Sequence, residues 1–169
     1  DDHTLILANI EPLQHLSHIK RAFSEDVFRT ATGGGYYYRP VLTISFMVDA
    51  MTGQGKFGMF HFSNIVYHVL ATWLFFVFLT RCRFDMRKSL LFSFIFMVHP
   101  MITQTVAWVP GRNDTLLAIM VFGAFIAWID YLDKGKLKYL LVHFAFFAVG
   151  MLTKESAIVV PVLVVLFTV

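Results

Sequence analysis

The sequence predicts an all-α integral membrane protein, a multi-span helical bundle with a helical loop outside the membrane ahead of it. Three observations lead there. Hydrophobic residues make up 57% of the 169 positions and charged residues 15%, whereas a soluble domain carries about a quarter charged. Apolar stretches of membrane length recur, and the basic residues gather in the short loops between them. The net charge of +3 and the pI near 9.1 therefore reflect membrane topology, and no nucleic-acid partner is expected. The single cysteine, Cys82, excludes an internal disulfide and leaves a thiolate metal site without a second sulfur.

The elements follow in chain order. Residues 1–58 carry six acidic and five basic side chains and read as an extracytoplasmic loop. Within it, GGGYYY at 33–38 reads as a flexible loop before an aromatic anchor. RPVLTISFMVDAM at 39–51 reads as an amphipathic helix with Pro40 near its start and Gly53 beyond its end, turning Leu42, Phe46 and Met47 to lipid or protein. Five spans are then predicted at about 59–80, 89–109, 115–131, 138–152 and 156–169. The second is interrupted by His99-Pro100, where a helix breaks or kinks. MITQTVAWV then forms a short helix at the membrane surface, and PGRND turns the chain back. The chain opens on Asp1-Asp2 and stops within VPVLVVLFTV, so a piece of a longer protein is expected.

Sidedness comes from the loops. RCRFDMRK at 81–88 has four basic residues against one acid, and DYLDKGKLK at 130–138 has three lysines against two acids. Both belong on the cytoplasmic side, and the two spans between them make the assignments agree. Residues 1–58, the PGRND turn and the TKES turn then lie on the other side.

That side collects the remaining charges: Arg112, Asp114, Lys154 and Glu155 at span ends, with Asp1, Asp2, Asp26 and Arg39 from the loop. Each taken alone fits a solvated or paired loop charge, and Asp114 fits a helix N-cap opening the third span. Together they suggest a polar cavity, since charges at a membrane are costly unless paired or hydrated. Carboxylates there can deprotonate a hydroxyl, while arginine and lysine can hold a phosphate. This suits a lipid-phosphate sugar donor. A transporter would place its charges at mid-membrane instead. His61, Asn64 and His68 share one helical face without a carboxylate, which favours interhelical hydrogen bonds over metal. His143 reads as a core histidine, and Trp108 as an interfacial anchor.

Six motifs in order now form a pattern: DDHTLILAN at the start, FSEDVF at 23–28, YYRP at 37–40, FHFSNIVYH at 60–68, HPMITQTVAWVPGRNDTL at 99–116 and KESAIVVP at 154–161. The chain resembles the transmembrane and tetratricopeptide-repeat O-mannosyltransferases, including their bacterial relatives, within the GT-C glycosyltransferases. The resemblance implies inverting transfer of a sugar, mannose by eukaryotic precedent, from a polyprenyl-phosphate carrier to protein Ser or Thr hydroxyls. The enzyme would sit in the endoplasmic reticulum or a bacterial inner membrane, with its tetratricopeptide repeats beyond this segment. Asp1 or Asp2 would be the general base, and Asp26 would orient acceptor or sugar. Arg39, Arg112, Lys154 and His99 would contact phosphate, with Asp114 and Glu155 holding Arg112 and Lys154. The lipid-linked donor is the one cosubstrate implied; a divalent metal has no support in the residue pattern. The triple glycine, and KES where a glutamine is common after KE, depart from the eukaryotic form. Rival readings are a GT-C transferase acting on a lipid or cell-wall glycan, and a transporter or scaffold without enzymatic activity.

Overall fold

A computed structural model describes residues 10–24 and 37–168; Asp1, Asp2, Asp26 and the triple glycine lie outside the described residues. Helices α1 (Ile10–Leu13) and α2 (Ile19–Ala22) are single turns. They are followed by α3 (Pro40–Thr52), α4 (Phe57–Arg81), α5 (Met86–Val98), α6 (Pro100–Ala107), α7 (Arg112–Lys134), α8 (Leu137–Met151) and α9 (Val160–Thr168). No strand occurs among the described residues. The fold is the all-α membrane bundle that the composition predicts.

Length separates the helices. The 25 residues of α4 and the 26 of Val109–Lys134 reach about 37 and 39 Å at roughly 1.5 Å per residue. Either exceeds the roughly 30 Å of bilayer hydrocarbon. The pair α5 and α6 meets the same test as one broken span, bent by 55°. The apolar α8, with 15 residues, and α9 are shorter.

The bend has a chemical cause. Pro100 has no N–H for the helical ladder, and the Met101 N–H turns to the His99 Nδ1. Met97 O, which Met101 would otherwise occupy, instead faces α4 and lies 2.9 Å from His68 Nε2. A carbonyl oxygen can only accept, so Nε2 is the donor in this contact. The break that frees a carbonyl thus supplies an interhelical bond.

Helix α7 packs between α4 and α8, while α3 lies against α4 and α7. Leu42, Phe46, Met47 and Ala50 of α3 are buried with Phe60 and Ala71 of α4 and with Leu116 and Ile119 of α7. Its apolar face therefore meets protein. Further along, Phe75, Phe78, Phe96 and Phe122 interlock across α4, α5 and α7, with ring centroids 5.1 to 6.0 Å apart for Phe75–Phe96, Phe75–Phe122 and Phe78–Phe122. Since lipid tails are as apolar as these rings, contact geometry and polar bonds hold such helices together. His143 supplies one of those bonds, its Nδ1 lying 2.9 Å from Ala124 O.

Two glycines matter to this arrangement. Gly135 ends α7 in the left-handed region at φ 63°. Gly123 lets Phe146 of α8 approach, for an added Cβ would lie 2.6 Å from the ring. Replacing Gly123 with leucine should therefore overpack the α7–α8 contact and lower stability by about 1–3 kcal/mol. Thermal unfolding of the detergent-solubilised protein reads this directly, while Gly58→Leu, where no atom lies within 4 Å, should leave the midpoint near wild type.

Candidate functional site

The charges converge at the end of the bundle that carries α3. Arg39 caps the start of α3 and is only 8% exposed. Its Nε and Nη2 donate to Glu155 Oε1 at 3.3 and 3.2 Å, and Nη2 also donates to Oε2 at 2.9 Å. The Tyr37 ring lies 4.7 Å from its guanidinium carbon. One residue back from Glu155, Lys154 forms an ion pair with Asp114 in the first turn of α7. The backbone closes the same junction, with Val41 N donating to Leu152 O at 3.3 Å. Four side chains from three parts of the chain thus form two adjacent ion pairs.

The pairing differs from the one expected. Asp114 holds Lys154 and Glu155 holds Arg39, so neither carboxylate serves Arg112. Nor does Asp114 cap α7: the helix starts two residues earlier, with Gly111 at the cap, and the acid in its first turn complements the helix dipole. His99 is exposed and its Nδ1 is occupied in capping α6.

Arg112 stands apart from this rim, with no exposed surface. Its Nη2 lies 2.5 Å from Asp49 Oδ2, an ion pair rather than an aligned hydrogen bond. Nε donates to Asn64 Oδ1 at 2.6 Å, Nη1 to Ser45 Oγ at 3.2 Å and Nη2 to Phe60 O at 2.8 Å. Phe46 and Tyr67 rings lie 4.8 and 5.4 Å from its guanidinium carbon. With its donors turned to protein groups, Arg112 is placed to clamp α3, α4 and α7, away from the rim where a phosphate contact was expected. Asp49, which the sequence reading passed over, is 1% exposed and accepts from Ser63 Oγ at 2.6 Å. A sequence signal existed: Asp49 falls on the same helical face as Leu42 and Phe46.

Between the clamp and the bend lies a recess of about 140 Å³, lined by His68, Phe96, Ile102, Thr105, Asp114 and Ala118 among others. Asn64 spans its neighbourhood, donating from Nδ2 to Val106 O at 3.1 Å. Among the described residues, no three His, Cys, Asp or Glu side chains converge as a metal site.

Two predictions follow from these pairs. Arg112→Met leaves the Asp49 charge buried and unpaired, and should cost about 3–5 kcal/mol. The double variant with Asp49→Leu should recover most of that loss in equilibrium or thermal unfolding, which a simple packing defect would not do. At the rim, the Arg39 hydrogen bonds hold the Glu155 carboxyl below its usual range. A depressed acid stabilises above its unfolded pKa, about 4.3, and that contribution disappears as pH falls through the lower folded value. Because Glu155 is 55% exposed, the difference between wild type and Glu155→Gln should stay under about 1 kcal/mol at neutral pH. It should vanish on acidification well below pH 4.3.

Comparison with known proteins adds the family. The profile of the dolichyl-phosphate-mannose-protein mannosyltransferases matches residues 41–169. The chain is 29% identical over 133 residues to the protein O-mannosyl-transferase TMTC3 of Mus musculus, covering 76% of this chain and 14% of that protein. It is 30% identical over 135 residues to TMTC1 of Homo sapiens, covering 73% and 15%. With Tmtc2 of Drosophila melanogaster the identity is 29%, covering 100% and 19%. The chain thus spans less than a fifth of these relatives' length. No solved structure matches it. Asp114, Lys154 and Glu155 of the rim and the His99 bend lie within the residues that the profile matches, and the chain belongs to the dolichyl-phosphate-mannose-protein mannosyltransferase family.

Proposed function

We propose that this chain is part of a membrane enzyme that transfers mannose, with inversion, from a polyprenyl-phosphate carrier to Ser or Thr hydroxyls of proteins on the extracytoplasmic side. The observation that carries the reading is the convergence of Arg39, Asp114, Lys154 and Glu155 at one end of the bundle in a chain of this family.

The chemistry divides among these groups. An Asp1 or Asp2 carboxylate, ionised at neutral pH by ordinary acidity, takes the acceptor hydroxyl proton as the oxygen attacks the sugar carbon. The bond from that carbon to the carrier phosphate breaks, and its electron pair leaves on the phosphate. Fixed cations lower the barrier where this charge grows. Arg39 and Lys154 meet that charge in this reading, which their position side by side, each with a carboxylate on one flank, supports. Asp26 orients acceptor or sugar. Arg112 contributes by fixing α3, and hence Arg39, to the bundle. The apolar recess beside Asp114 suits the first carbons of the carrier chain.

The test uses the intact protein in membranes, supplied with radiolabelled polyprenyl-phosphate mannose and a protein extract as acceptor. Loss of transfer in Asp1→Asn or Asp2→Asn, with insertion unchanged, supports the reading and locates the base. Lys154→Gln should lower transfer on the order of 10- to 100-fold, about 1.4–2.7 kcal/mol of transition-state stabilisation. Full activity in both aspartate variants would sink the assignment of the base. Label reaching only lipid or glycan would redirect the acceptor.

A further inference from the structure

The two ends of the bundle treat charge differently. At the α3 end Arg39, Arg112 and Lys154 each have one carboxylate partner. At the opposite end seven cations, Arg81, Arg83, Arg87, Lys88, Lys134, Lys136 and Lys138, share three carboxylates, Asp85, Asp130 and Asp133. All seven cations are exposed.

Their arrangement is specific. Asp130 takes Arg81 from α4 and, at 3.0 Å, Lys134 from its own helix, so one carboxylate is divided between two cations. Arg83 reaches Asp133 only at 3.9 Å. Lys138 has no ion pair among the described residues. Its Nζ lies 4.9 Å from the Tyr139 ring centroid, and Lys134 Nζ lies 4.7 Å from the same centroid. One ring therefore gathers two ammonium groups beside the Arg81 guanidinium, with Asp130 the sole carboxylate among them. Mutual repulsion of these cations is relieved by an added anion.

The surroundings select the kind of anion. Leu132, Leu137 and Leu141 are 49%, 65% and 61% exposed, an apolar flank directly beside the cations. A free inorganic anion gains nothing from that flank, whereas a lipid presents phosphate and hydrocarbon together. We propose that Arg81, Lys134 and Lys138, gathered about Tyr139, seat the phosphate headgroup of an anionic membrane lipid, with its acyl chain along Leu137 and Leu141. The site is remote from the Arg39–Glu155 and Lys154–Asp114 pairs and does not depend on the reaction proposed for them.

Native mass spectrometry of the intact, detergent-released protein tests this with equal amounts of phosphatidylglycerol and phosphatidylcholine of matched acyl chains. Wild type should retain phosphatidylglycerol several-fold over phosphatidylcholine, and the preference should fall as ionic strength rises. The Lys134→Gln/Lys138→Gln variant should bring the ratio to about one. Lys56→Gln, at the other end, should leave it unchanged. Equal retention by wild type, a preference insensitive to salt, or an unaltered ratio in the double variant would each overturn the site. Displacement of the lipid by inorganic phosphate at the lipid's own concentration would show a free-anion site and overturn the lipid assignment. The salt titration is read on wild type, so the test survives a double variant that fails to fold.

Discussion

The ion pair between Arg112 and Asp49 is the constraint on which the placement of the other groups depends. Both charges are shut away from water, and a charge so placed persists only when its partner and hydrogen bonds are in position. Satisfying Arg112 requires Ser45 and Asp49 of α3, Asn64 and the Phe60 carbonyl of α4, and the start of α7 at the same time. Hydrophobic contact alone would let α3 slide along the bundle. The guanidinium allows one register, and that register sets Arg39 against Glu155.

A second constraint comes from Pro100. The break at Pro100 turns the Met101 N–H to His99 Nδ1, which releases Met97 O for His68, and bends the chain by 55°. The bend carries α6 over the recess beside Asp114 and lets Asn64 reach the Val106 carbonyl. Local backbone chemistry and interhelical bonding are thus one event. The histidine and asparagine that share a face of α4 act in it at different depths.

Much of this was legible in the sequence, and the gaps have physical reasons. Uninterrupted apolar runs announce α4 and α7, and Pro100 announces the bend, because each rests on the backbone or on composition. The gathering of Arg39, Asp114, Lys154 and Glu155 followed from sidedness, since basic loops order the ends of helices. Which carboxylate meets which cation did not follow. That depends on which helices are neighbours, and one-dimensional order places Asp114 as near to Arg112 as to anything else. Asp49 is a lone charge within an otherwise apolar face of α3. Its partner lies 63 positions further along, a distance over which charge patterning gives no signal. Asp1, Asp2 and Asp26 lie outside the described residues, so their role rests on family resemblance.

The one-to-one pairing at the α3 end has a consequence for how an anionic carrier would arrive. Arg39 and Lys154, each neutralised by a neighbouring carboxylate, project little net field of their own, so distant anions are not drawn to these two cations. Encounter would be set by lateral diffusion of the carrier within the bilayer rather than by electrostatic steering. Recognition would come at contact, when a phosphate oxygen takes Lys154 from Asp114 or Arg39 from Glu155. Binding of this kind is an exchange of partners. It frees a carboxylate as it occupies a cation, and the freed carboxylate is ready to reclaim that cation when the phosphate departs.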